Sequence, residues 1–216
     1  MKKVFNLIIL DESGSMESVK SLIISGFNEL VQNIKNLKKD FADQEHFVSL
    51  VTFNGMGIKT IMDNISADYL GQINESVYKP NSMTPLFDAI GDSVNKLKQI
   101  TKRQDNCNVL VTILTDGLEN ASKEYSGKDI KKLIDNLRNM GWTFTYIGTD
   151  HDIDKVADSI SINNKLSFNK SEEGIREMFT CESKARNAYY NAVSENSDEL
   201  GKDFDFFKKH FKKETE

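Results

Sequence analysis

The chain has 216 residues, with 28 Lys and Arg against 33 Asp and Glu and a formal net charge of −5, a balance that argues against a basic nucleic-acid module. With 38% hydrophobic and 28% charged residues, it can bury one sizeable core but is too short for two comfortable domains. Two prolines and twelve glycines exclude a fibrous repeat or a long low-complexity linker.

The first ten residues open with Lys2 and Lys3 and continue as an apolar run that Asn6 interrupts and Asp11-Glu12 end. The run is too short to span a membrane and carries no small-residue cleavage site. It is therefore expected to be a buried strand over 4–10. Val19, Leu22, Ile23, Phe27, Leu30, Ile34 and Leu37 recur at three- and four-residue intervals, which predicts a long amphipathic helix. A second strand is expected over 47–53, and the turn signal Asn54-Gly55 leads into an edge strand over 58–62.

Pro85 suits the first position of a helix carrying Leu86, Ala89, Ile90, Val94 and Leu97, which leaves Thr84 at the helix mouth. The apolar run 109–114 ends in Thr115-Asp116-Gly117, and Ile130, Leu133, Ile134 and Leu137 pattern a further helix closed by Gly141. A strand over 142–147, a short helix over 152–160 and a weak strand over 165–168 follow. Ile175, Met178, Ala185, Tyr189 and Val193 then mark a terminal helix.

Alternation of strand and helix predicts an α/β fold, a doubly wound, mostly parallel sheet with helices on both faces. The domain is expected over 1–195. Residues 196–216 form an extension in which Leu200, Phe204, Phe207 and Phe211 make one apolar stripe with Lys208, Lys209, Lys212 and Lys213 late, as the helix dipole favours. This extension is read as an amphipathic helix docking on the domain, with a partner-binding helix as the alternative, and its mixed charge argues against stable membrane association. Cys107 and Cys181 lie 74 positions apart with no CxxC spacing, so neither a disulfide framework nor a thiolate metal site is expected, and a reducing cytoplasmic setting follows.

In doubly wound sheets ligands gather at the carboxyl ends of the strands. Asp11-Glu12-Ser13-Gly14-Ser15-Met16 and Thr115-Asp116-Gly117 fall there, and Thr84, which opens a helix, could meet them at one point. Asp11, Ser13, Ser15, Thr84 and Asp116 together supply two carboxylates and three hydroxyls. Such an all-oxygen set suits a small hard cation, Mg²⁺ or Mn²⁺, rather than a thiolate or imidazole metal. Gly14 is expected to take backbone angles that a Cβ would obstruct.

These residues resemble a known family. D-x-S-x-S after the first strand, a Thr in a central loop and T-D-G after a later strand look like the metal-ion-dependent adhesion site of von Willebrand factor A domains, and the resemblance covers roughly 3–195. It implies a six-stranded sheet with one antiparallel edge. It also implies that Ser13 and Ser15 ligate the metal directly, that Thr84 does so directly or through water depending on state, and that Asp11 and Asp116 act mostly through bound water. Where such a family has small glycine-rich loops before its Thr, this chain has Asn81-Ser82-Met83.

An open coordination position would accept an Asp or Glu of a protein partner. The resemblance points to a stand-alone intracellular module of the bacterial and phage kind, an adaptor whose relatives work with AAA+ ATPases or in stress-response assemblies. An Mg²⁺-dependent phosphatase or phosphotransferase using Asp11 as nucleophile is the enzymatic alternative. It is opposed by Ser13, which stands where a second acid would be needed, and by the lack of a nucleotide phosphate loop. A subunit with a purely stabilising metal is a third reading.

Other polar residues have structural explanations. Asp11, Ser13 and Ser15 would also suit a turn and helix cap, Asp88 and Asp92 would favour a helix dipole, and Glu119-Asn120 would be solvated loop. Thr149-Asp150-His151-Asp152 would cap the next helix. His46, His151 and His210 show no metal spacing. Met16 and Met83 would pack under the loops or form an adaptable rim.

Overall fold

In the computed structural model, β1 (Lys2–Asp11) is buried from Val4 onward, because it lies at the centre of the sheet and is covered on both faces, where hydrophobic side chains need not alternate with polar ones. Residues 1–104, 106–149, 153–195, 206, 207 and 211 are described. β1 pairs in parallel with β2 (Gln44–Asn54) on one side and β4 (Cys107–Leu114) on the other. β3 (Gly57–Ser66) turns back antiparallel on β2 as the edge, and β5 (Thr143–Thr149) and β6 (Asn164–Phe168) extend the other side in parallel. The order is β3-β2-β1-β4-β5-β6, the six-stranded sheet with one antiparallel edge that was expected.

Alternate residues of β1 serve two cores. Val4, Ile8 and Leu10 pack with α1 (Lys20–Asp40) and α5 (Glu172–Ser194), while Phe5, Leu7 and Ile9 pack with α2 (Leu86–Thr101), α3 (Gly127–Arg138) and α4 (Ile153–Ser159). Local chemistry sets the helix ends. Ser126 and Asp129 form a reciprocal capping box at the start of α3, and Gly141 beyond its end takes φ +86°. Beyond strands that run a few residues longer than expected, such as β3 to Ser66, two helix starts differ from the expectation. A 3-10 turn over Gly14–Val19 precedes α1, and Pro85 stands just outside α2, at ψ 65°, rather than as its first helical residue.

Of the expected extension, Leu200 and Phe204 and most of 196–216 lie outside the described residues. Phe206, Phe207 and Phe211 are buried, and the rings of Phe206 and Phe207 stand 6.2 and 5.7 Å from that of Tyr189 on α5. No helix among the described residues is long and apolar enough to cross a membrane, and Cys107 and Cys181 are not joined in a disulfide.

Candidate metal centre

The sheet reverses its winding between β1 and β4, so the carboxyl ends of these two neighbours open side by side, with Leu10 opposite Leu114. Register alone therefore puts Asp11 beside Thr115, whose Oγ1 donates to Asp11 Oδ2 at 2.5 Å. The backbone N–H of Ser13 donates to Asp11 Oδ1 at 2.7 Å, closing a turn of the kind that Asp forms with its own backbone. That turn brings Ser13 Oγ within 3.1 Å of Ser15 Oγ. Ser15 Oγ in turn donates to Asp116 Oδ1 at 2.5 Å, joining the loop after β1 to the loop after β4.

Thr84 is placed by a residue outside the predicted set. Its backbone N–H donates to Asn120 Oδ1 at 2.8 Å, and the Asn120 N–H donates to the Thr84 carbonyl at 3.2 Å. The point where the three loops meet is marked by Gly117. A Cβ there would stand 3.1 Å from Thr84 Oγ1, 3.6 Å from Ser15 Oγ and 3.7 Å from Asp11 Oδ2, so a side chain would enter the space that these oxygens surround. Gly14 does not have the role expected of it. It has no positive φ, and a Cβ there would make only ordinary contacts of 3.5 Å or more. What Gly14 supplies is a backbone N–H, donated to the Ser82 carbonyl at 3.0 Å. Ser82 itself takes φ +67°, the bend that Asn81-Ser82-Met83 makes without a glycine.

Asp11, Ser13, Thr84, Thr115 and Asp116 are buried and Ser15 is exposed, so the cluster is approached from the Ser15 side. Burial pushes the Asp11 carboxyl up to about 6; hydrogen bonds from Thr115 and Ser13 oppose this, and the nearby Asp116 charge adds to it. Asp116 Oδ2 is buried and receives no hydrogen bond of acceptable geometry. It does meet the ammonium of Lys170 at 2.5 Å as an ion pair. A hard divalent cation fits this set: the donors are all oxygen, two carboxylates face the single ammonium of Lys170, and Gly117 leaves room between the loops. Among the described residues no group of three or more His, Cys, Asp or Glu side chains is arranged to hold a metal, so the fit depends on the hydroxyls.

Several residues assigned to solvent or helix dipole instead bind the loops together. Glu119 accepts from the N–H groups of Phe87, Ala121 and Ser122, and from Ser122 Oγ. Asp88 accepts from the backbone of Lys123, Glu124 and Tyr125, which is more than a favourable interaction with the helix dipole. Glu12, fully buried, points away from the cluster to the Lys79 N–H and the Lys59 ammonium, and Tyr78 Oη donates to the Asp11 carbonyl at 2.6 Å. The signal for Glu12 and Glu119 was present in the chain: Glu12 directly follows Asp11 at the end of β1, and Glu119 stands two residues beyond Thr115-Asp116-Gly117. For Lys170, a lysine in a connecting loop, there was none. Met16 is buried as expected, whereas Met83 is 56% exposed. Thr149 Oγ1 donates to the Asp116 carbonyl at 3.2 Å, and Asp150, His151 and Asp152 lie outside the described residues.

A von Willebrand factor type A domain model matches residues 7–199. The structure is similar to that of the PilB minor pilin from Streptococcus sanguinis, at TM-score 0.64 and 13% identity, covering 91% of this chain and 63% of that one. It is similar to the vWF domain of the type V pili tip protein Mfa5 from Porphyromonas gingivalis, at TM-score 0.60 and 9% identity, covering 88% of this chain and 96% of that one. A third likeness is to proximal thread matrix protein 1 from the mussel byssus, at TM-score 0.54 and 13% identity, covering 89% and 46%. The chain thus spans less than two thirds of the PilB and mussel chains, and at these identities the likeness is one of fold. No curated protein matches the sequence.

Proposed function

Because the chain belongs to the von Willebrand factor type A domain family, we propose that it is a protein-binding module with a metal-ion-dependent adhesion site. In this reading Asp11, Ser13, Ser15, Thr84 and Asp116 hold Mg²⁺ or Mn²⁺, and an Asp or Glu of a protein partner completes the shell. The observation that carries the reading is the meeting of oxygens from three loops about Gly117, where two buried carboxylates face a single ammonium.

When bound, the ion would supply a positive centre that attracts a partner carboxylate. Ser13, Ser15 and Thr84 offer neutral lone pairs, which leave the charge of such an ion largely unspent. Asp11 and Asp116 supply the negative charge, held in place by Thr115, the Ser13 N–H and Ser15. The reciprocal bonds between Thr84 and Asn120 keep the third loop in register with the other two. Ser15, the exposed member, marks the side from which a partner enters. As nucleophile of a phosphotransferase Asp11 is poorly presented: it is fully buried, and both its oxygens accept hydrogen bonds. The same reading extends to a cytoplasmic adaptor serving an AAA+ ATPase or a stress-response assembly, a setting supported by two cysteines not joined in a disulfide.

Mn²⁺ and Mg²⁺ titrated calorimetrically into the wild type and Asp11→Ala test the metal, and capture from native lysate with Mg²⁺ or with EDTA tests the partner. The expected result is binding by the wild type alone and a partner recovered by the wild type only with Mg²⁺. Equal recovery under all conditions would overturn the module reading. A metal-dependent melting shift with no metal-dependent partner would favour a stabilising role instead.

A further inference from the structure

We propose that Lys170 is a built-in counter-cation of this site, and that it makes the metal-loaded site selective for a carboxylate by raising its charge above zero. The inference rests on the metal-dependent reading above and deepens it.

Lys170 stands in the connection between β6 and α5, one residue before Ser171, whose side chain caps α5 by accepting from the Gly174 N–H at 3.0 Å. The start of the helix thus fixes where the lysine begins. Its Nζ lies 2.5 Å from Asp116 Oδ2 and reaches the Ser15 carbonyl at 3.4 Å, touching the loop after β4 and the loop after β1 together. The Lys170 side chain keeps 35% of its surface exposed while that of Asp116 keeps none. The ammonium therefore lies over the acid from the solvent side, the side on which Ser15 is exposed.

Charge accounting gives the consequence. Glu12 is matched by Lys59 at 3.1 Å and drops out of the sum. Asp11 and Asp116 contribute two negative charges when ionised, and Lys170 returns one, so the cluster by itself is net negative and repels a carboxylate. A divalent ion makes the same cluster net positive by one charge, which a single carboxylate cancels. Without Lys170 the cluster would attract the ion more strongly, yet the loaded site would be neutral and would draw an acid less. Lys170 thus weakens metal binding and strengthens acid binding, two effects of opposite sign from one side chain. A lysine suits this task because its charge is compact and sits on a flexible stem that can swing off Asp116 without leaving the rim.

The test uses the whole chain with Mn²⁺ alone as probe, titrated calorimetrically in chloride and again in acetate at the same ionic strength. The variants are Lys170→Met, which keeps the stem, and Lys170→Arg, which keeps the charge. Because the residue is exposed, both are expected to fold, as melting without metal will verify; Lys170→Gln serves as a second neutral variant. Lys170→Met is expected to bind Mn²⁺ about tenfold tighter than the wild type, and Lys170→Arg within about twofold of it. Acetate is expected to tighten Mn²⁺ binding by the wild type, through linkage between the two ligands, and this gain is expected to vanish in Lys170→Met. Wild-type binding that Lys170→Met leaves unchanged or weakens, or an acetate gain that survives the substitution, overturns the role of Lys170 and leaves the metal reading intact. A wild type that binds no Mn²⁺ overturns both.

Discussion

Two polar clusters are built around β1, one at Asn6 on the α5 side and one at Asp11 where the strand ends, and they are completed in opposite ways. In the first, Arg186 donates to Glu182, to Asn6 Oδ1 at 2.8 Å, to Thr112 Oγ1 at 2.9 Å and to Tyr190 Oη at 3.3 Å. Tyr190 Oη in turn donates to Asn6 at 2.6 Å. The charges of Arg186 and Glu182 cancel, and what stays unpaired is Glu182 Oε2 and the ring of the neighbouring His46. In the second cluster two acids face one lysine, so the charges do not cancel. A buried network whose charges cancel holds a fold in one arrangement. One that retains excess charge at an accessible edge is the better candidate for a ligand site.

The contrast predicts effects of different size and kind. Arg186→Met should be the most damaging change, destabilising the fold by about 3–5 kcal/mol in urea, because Glu182 would be left buried and uncompensated. Mn²⁺ binding by the fraction that remains folded should be unaffected, and a loss of binding would show that the two clusters are coupled.

His46 comes next. Burial, with a smaller contribution from Arg186 and against the opposing charge of Asp43, lowers its pKa to about 4 from 6.5. The folded state therefore favours the neutral ring. Its contribution to stability is complete above pH 6.5 and is lost as the pH falls through about 4. The loss amounts to about 3 kcal/mol from this residue, by the linkage between pKa and stability. Stability measured from pH 7 to 4 should flatten in His46→Phe, and an unchanged slope would assign the acid sensitivity elsewhere.

In the second cluster, Asp11→Asn should abolish the stabilisation expected from Mg²⁺, which for a metal-binding wild type would be about 2.7 kcal/mol at a hundredfold excess over Kd. The metal-free protein should not be weakened, since burial already disfavours the Asp11 charge. Thermal melting with and without Mg²⁺ measures both, and a retained metal shift would remove Asp11 from the site. The smallest effect is expected from Gly117→Ala, whose methyl would crowd Thr84 Oγ1 at 3.1 Å. It should weaken Mn²⁺ binding about fivefold, or about 1 kcal/mol, with little change in urea stability.

The amino-acid sequence by itself determined the order and type of the strands and helices, because hydrophobic period and turn chemistry are written in neighbouring residues. It also placed Asp11, Ser13, Ser15 and Asp116 after strand ends and Thr84 at the mouth of a helix, and within that set the turn from Asp11 to the Ser13 N–H is local enough to be legible. Only the tertiary structure decided how the loops lock together. Thr84 depends on Asn120, Asp116 meets Lys170, and Gly117 rather than Gly14 is the glycine whose missing side chain matters. Arg186 likewise reads in the chain as one more polar residue on an amphipathic helix, yet it is buried against Asn6, Glu182 and Thr112. The physical reason is common to all of them. A polar or charged residue looks the same in sequence whether water or a distant side chain satisfies it, and which of the two does so is settled by burial and register once the sheet has formed.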